Sequence, residues 1–408
     1  MIESRATFDV GGVILDRPFK IRRLGHVGVN AVRMEESLRF YRDLCGLRVS
    51  DRIDMGERAK PGELDGLGDP GGYFMRHGTD HHSFVLFNRR VRETLDKTRK
   101  FPAGVTINQI SWQVGSLEEV TRGDEWLREQ GAEIQRVGRD WPGSNWHTYF
   151  YDPDGHTNEL FYGMEQVGWD GHSKPEAMEP NIRLREKPRL PQPSEEDEIR
   201  AALEKGIDLQ ASPVHRDELP RVYEVEGVML GRPFRVTKIG PLSLFVKDLE
   251  ASQNFYEQRL GLVLTEETRV NGFPCKFLRA TTEHHSLVLM PIEARAQLGL
   301  WEGSTTMAIG MQVASYRQLR DAREFFASRG AKLVDLPTQL HCGIDYAFHV
   351  LDPDGHCLQF YFMMEQVGWK GEPRPADMRP HVDNKAWPDV VPPQSDFGGG
   401  EVFMGPLG

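Results

Sequence analysis

Apolar and polar positions alternate over short runs along most of this chain, and the runs come in a fixed order of strand, helix and further strands. Leu24 to Val29 alternates with the period of two that sends successive side chains to opposite faces of a strand. Met34 to Leu44 sets Leu38, Tyr41 and Leu44 at helical spacing, and Gly46 supplies the stop. Strands are expected around Arg48 to Arg52 and Ser83 to Asn88, with Gly56 to Met75 read as a loop between them. The order then recurs: Val105 to Val114, a helix from Leu117 to Glu129, and strands at Glu133 to Val137, Trp146 to Tyr151 and Asn158 to Gly163. Two more units follow. One runs through Ile239 to Val246, Leu249 to Leu260, Leu262 to Glu266 and Ser286 to Met290. The last runs through Met307 to Val313, Ala322 to Gly330, Lys332 to Asp335, Tyr346 to Leu351 and Cys357 to Met363.

Four βαβββ units predict an α+β protein in which pairs of units form two curled mixed sheets. The pairing is legible because the sequence repeats itself. Asp152-Pro153-Asp154-Gly155-His156 returns as Asp352-Pro353-Asp354-Gly355-His356, and Met-Glu-Gln-Val-Gly-Trp closes both halves at 164–169 and 364–369. Phe8 to Phe19 likewise returns as Tyr223 to Phe234. Two of these matches fall 200 residues apart and the third 215, and such long matches mark a tandem duplication. The expected domains are 1–170, with units at about 20–95 and 104–165, and 223–370. Residues 171–222 form a proline- and charge-rich linker in which Ser194 and Asp197 cap a short helix over Ile199 to Lys205. Residues 371–408 form an extended tail ending in Gly398-Gly399-Gly400.

A chain of 408 residues is long enough for two cores, and a net charge of −11 argues against nucleic acid or an anionic membrane as a partner. No apolar run reaches the roughly 20 residues of a membrane helix, and the first residues lack a secretory pattern, so a cytoplasmic location is expected. Cys45, Cys275, Cys342 and Cys357 have neither metal-type nor disulfide-framework spacing and read as reduced structural thiols. Exposed sheet edges favour a homo-oligomer.

The chemistry is written into one half only. His26, Gln109 and Glu159 fall on three strands of the first half, and alternation can turn one side chain from each into a common cleft. One imidazole, one amide oxygen and one carboxylate make an open site for a divalent ion. The second half is an internal control: its matching positions are Pro241, Ala308 and Gln359, so all three donors are missing together. The Asp-Pro-Asp-Gly-His turn is kept in both halves and reads as a turn, with His156 and His356 not acting as ligands.

The Gly25-His26 strand, the helix with Phe40-Tyr41 and Gly46-Leu47, and the Asp152 to His156 turn followed by Glu159 resemble the vicinal oxygen chelate superfamily. That superfamily holds type I extradiol ring-cleaving dioxygenases, glyoxalase I, epimerases and resistance proteins. The resemblance covers roughly 20–165 and 236–365 and implies the paired βαβββ fold. The first half is most similar to the extradiol dioxygenases: His82 in His81-His82-Ser83 matches their acid-base histidine, and Tyr149 the tyrosine that orients substrate oxygen. Gly138-Arg139 followed by Pro142-Gly143-Ser144-Asn145 looks like their active-site loop. The resemblance implies His26 and Glu159 as metal ligands; Asp140, Asn145 and Trp112 are expected substrate contacts.

Two departures stand out. Gln109 occupies the place of a second histidine ligand, and Asp140 that of a loop histidine. His147 shares a strand face with Tyr149 and could supply the missing imidazole as ligand or proton donor. The implied activity is iron(II)-dependent cleavage of a catechol-like aromatic by O2, with no organic cofactor. Manganese, zinc, nickel or cobalt would suit the alternative, a redox-silent glyoxalase- or epimerase-like lyase or isomerase. A non-catalytic small-molecule binder is a third reading. His284-His285-Ser286 repeats the histidine pair in the half without ligands, so a packing role for His82 competes with catalysis.

Overall fold

In a computed structural model, the described residues run from 7 to 392, apart from 98, 179–182, 185, 188–189, 368–370, 381 and 384–385. Gly398 to Gly400, the Pro188-Arg189 step of the linker and the last two residues of the second Met-Glu-Gln-Val-Gly-Trp motif lie outside them.

The chain is α+β, with two curled mixed sheets. The first has nine strands in the spatial order 183–184, 134–140, 146–151, 157–162, 107–114, 21–31, 84–88, 71–76, 48–54. The second has eight, in the order 263–270, 273–279, 287–291, 236–246, 306–313, 357–361, 347–351, 332–334. In each, the long opening strands of the two units pair antiparallel at the centre, Ile21–Ala31 with Ile107–Val114 and Val236–Val246 with Thr306–Val313. Those two seams agree in register. Gly28 pairs with Gln109, and Ser243 pairs with Ala308, at the offsets of 215 and 199 read from the sequence.

Two expectations need correction. The loop expected over Gly56 to Met75 ends in a strand, Gly71–Arg76, and its second-half counterpart Phe273–Arg279 was equally unread. Two glycines lead the first of these strands, and glycine carries little strand signal. The helix expected from Ala322 begins earlier, at Tyr316, because Ser315 caps it by accepting from Gln318 N. The linker helix spans Glu195–Glu204 with Ser194 accepting from Asp197 N, and Arg183–Leu184 adds an edge strand to the first sheet.

One core runs through both halves, joining residues such as Tyr41, Trp112 and Phe150 to Tyr256, Phe326 and Phe360. The repeated turns lock this union reciprocally. Asp152 Oδ1 accepts from the backbone N of Asp154 and His156, while its Oδ2 accepts from Tyr256 of the other half at 2.9 Å. Asp352 accepts from Tyr41 at 2.9 Å in the same way. His156 contacts Asp152 at 2.8 Å and Thr305 at 2.8 Å, which fits a turn histidine. All four cysteines are buried and free. No described helix is long and apolar enough to cross a membrane.

Candidate active site

Alternation along Ile107–Val114 decides what faces the first-half cleft. Ser111 pairs with His26 on one neighbour and with Glu159 on the other, so these three side chains share a sheet face with Gln109, two residues back. His26 Nε2 lies 2.9 Å from Glu159 Oε2, and both side chains are wholly buried. Ser111 Oγ donates to the same carboxylate, and Asn145 Nδ2 donates to its other oxygen at 3.0 Å. Burial alone would raise the Glu159 pKa. The adjacent His26, then His147 and the Ser111 hydroxyl, outweigh it and hold the group at about 2. A fixed, ionised carboxylate results.

The same alternation removes Trp112 from the site. It points into the shared core, donates to Asn158 Oδ1 at 2.9 Å and packs beside Tyr256, so it is not a substrate contact. Asn145 lines the adjacent cavity and at the same time holds Glu159 through its amide.

Beside this pair lies a cavity of about 570 Å3, a size suited to a small ligand, lined by His82, Gln109, Asp140, Asn145, His147 and Tyr149 among others. The His82 ring meets that of His26 edge to face with centroids 4.5 Å apart, and Phe74 packs on its other side at 5.1 Å. His81 Nε2 sits 2.7 Å from Asp51 Oδ2, and His81 Nδ1 sits 3.0 Å from His82 Nδ1. With neutral rings this chain has one consistent assignment. His81 donates to Asp51 and accepts from His82 Nδ1–H, which leaves His82 Nε2 as the basic nitrogen. Burial, helped by His26 and His81, pushes the His82 pKa well down. Gly143, at φ +88, presses on the pair: a Cβ there would lie 2.9 Å from His82.

His147 Nδ1 is 3.2 Å from the Asn145 carbonyl and 3.8 Å from Glu159, and its Nε2 is 3.8 Å from Asp140. Tyr149 stacks obliquely on His147 at 4.6 Å, and Arg136 lies over its ring at 4.3 Å. Burial and the Glu159 charge raise the Tyr149 pKa, so it stays a phenol and a donor. Asp140 pairs with Arg136.

Among the described residues no three His, Cys, Asp or Glu side chains are grouped so as to hold an ion. The donors at hand are the His26 imidazole, the Glu159 carboxylate and the Gln109 amide, with His147 next to them. His26 Nδ1 is buried with no hydrogen-bond partner among the described residues, and Nε2 faces only the Glu159 carboxylate, an arrangement a cation between them would satisfy. The set therefore fits a divalent ion, though not the pattern of two imidazoles and one carboxylate.

The profile of the Glyoxalase/Bleomycin resistance protein/Dioxygenase superfamily matches residues 23–160 and 238–360. The chain belongs to that superfamily. Within it, the chain is 29% identical over 137 residues to metapyrocatechase 2 of Cupriavidus necator, a match covering 33% of this chain and 34% of that relative. The 2,3-dioxygenase LapB from Pseudomonas sp. KL28 shares the fold with a TM-score of 0.54 at 16% identity, over 87% of this chain and 96% of its own. A Mn(II)-bound glyoxalase from Novosphingobium aromaticivorans does so with 0.51 at 14%, over 90% and 96%. Dioxygenases and glyoxalases of the superfamily thus share this scaffold.

Several residues of the site escaped the sequence reading. Ser111 was accessible, since it lies two positions beyond Gln109 on one strand. Asp51, Arg92 and Arg99 reach the site region from segments with no motif of their own.

Proposed function

We propose that the protein is an extradiol-type dioxygenase that opens a catechol-like ring with O2 in the first-half cavity. The observation that carries the reading is the convergence of His82 and Tyr149 on a cavity beside the buried His26–Glu159 pair. The match to metapyrocatechase 2, partial in length, points the same way.

His26, Glu159 and Gln109 would hold the divalent cation, iron(II) in the leading reading. Bound there, it would supply Lewis acidity and draw the diol oxygens and O2 together. The chain's own residues do the rest. Ser111 and Asn145 keep Glu159 ionised and oriented. His82 Nε2, neutral at physiological pH, takes a proton from a substrate hydroxyl and returns it to the product side during ring opening. Tyr149 donates a hydrogen bond to the second ring oxygen. Phe74, Phe87, Ile53 and Met55 give the ring an apolar wall and limit water.

Gln109 favours a second reading, a redox-silent lyase or isomerase in which another divalent metal polarises a carbonyl and His82 moves a proton. One experiment separates the two: metal analysis of protein purified without oxygen, followed by oxygen uptake with a panel of catechols. Stoichiometric iron and catechol-dependent uptake support the dioxygenase. Another divalent metal with no uptake supports the alternative and sinks the first reading.

A further inference from the structure

The cavity has a cationic wall that ring opening does not use. Arg58, Arg92, Lys97, Arg99 and Arg136 line it against two carboxylates, Asp96 and Asp140. Both carboxylates are engaged: Asp96 pairs with Arg92 at 3.0 Å, and Asp140 pairs with Arg136. Arg92 also donates to Asn108 and lies 4.6 Å over the Phe87 ring. Arg99 is different. Its Nη2 is buried with no hydrogen-bond partner, and it has no ion pair among the described residues. Burial, with the neighbouring Arg92 charge adding to it, pushes its pKa down to about 9. Arg99 lines the same cavity as the Tyr149 phenol.

A guanidinium nitrogen buried without an acceptor, on an arginine with no ion pair among the described residues, is destabilising unless something supplies the acceptor. Its planar donors suit a carboxylate, which can accept two parallel hydrogen bonds. We propose that the aromatic substrate carries a carboxylate, on the ring or on a short side chain, and that Arg99, backed by Arg92, binds it while the vicinal oxygens face His26 and Glu159. This specifies the substrate class of the proposed reaction and rests on it for the position of the diol. The anion contact itself requires neither metal nor O2.

The test therefore uses the metal-free full chain. Calorimetric titration compares 3,4-dihydroxybenzoate and 3,4-dihydroxyphenylacetate with 4-methylcatechol, on the wild type and on Arg99→Met. The wild type should prefer at least one acid by about tenfold or more, as a charge-assisted contact implies, and Arg99→Met should erase that preference. Thermal melting guards against misfolding. Methionine removes a partly buried charge that has no ion pair among the described residues, so the variant should melt no lower than the wild type, and only the wild type should gain Tm with the acid present. Equal binding of acid and neutral catechol, no binding of either acid, or an acid preference that survives in Arg99→Met would each overturn the proposal. An acid preference in a protein that consumes no O2 with any catechol would leave the subsite standing and remove the dioxygenase reading instead.

Discussion

The two halves are built on one plan, and they differ most where the first has its polar cluster. At the central seam, His26 and Gln109 correspond to Pro241 and Ala308, and Glu159 corresponds to Gln359. The second half packs tightly at this point. Tyr361, matching Phe161, donates to Gly240 O at 2.7 Å, and Gly310 lies so close to Gly240 that a Cβ would meet its carbonyl oxygen at 2.2 Å. The histidine pair survives with its full geometry: His284 Nδ1 lies 3.0 Å from His285 Nδ1, and Glu266 stands at 3.0 Å on the far side, where Asp51 stands in the first half. Gly343 even presses on His284 as Gly143 presses on His82. A carboxylate–histidine–histidine chain is thus part of the scaffold, and it gains a chemical task only where a cavity and a donor set face it.

The widest break in that comparison comes from giving the first half the second half's residue. Glu159→Gln removes the one anionic donor but keeps its shape, so metal content should fall from near one ion per chain to a trace. Turnover should fall with it by about a thousandfold or more. Metal analysis of the purified variant checks this, and full metal occupancy in Glu159→Gln would contradict the assignment of the site. The histidine pairs come next. His82→Asn should lower kcat by roughly 10² to 10⁴ while metal is retained, whereas His285→Asn should leave kcat within a few-fold of wild type. Equal losses in both variants would assign the pair to folding alone.

How much of this was legible in the sequence follows from the distance over which each signal acts. The seams and the two-sheet plan were readable because the period of two and the repeat offsets are local properties of the chain. The strand Gly71–Arg76 was not, since its leading glycines erase the pattern while pairing with Phe84–Asn88 stabilises it from outside. Within the site, the shared face of His26 and Glu159 followed from alternation, and the same rule applied to Trp112 turns it to the opposite face from Gln109. Arg99 left no trace in the sequence. Its meaning comes from burial without a partner, which only the folded arrangement reveals.

The smallest effect expected tests whether the second half is needed as a partner in folding. Tyr41 and Tyr256 are fully buried and each donates at 2.9 Å to the turn aspartate of the other half. Burial, then the aspartate charge, raises both phenol pKa values, so each remains a donor over the whole physiological range. Phenylalanine keeps the ring and deletes only a hydrogen bond to a charged acceptor, a loss of about 1.5 to 3 kcal/mol. Tyr41→Phe and Tyr256→Phe should therefore lower unfolding stability by similar amounts in urea titrations, in one cooperative transition, because both bonds tie the same shared core. Two separate transitions, or a loss confined to one variant, would mean that the halves fold independently. The cavity would then owe its shape to the first sheet alone, without a clamp that spans both halves.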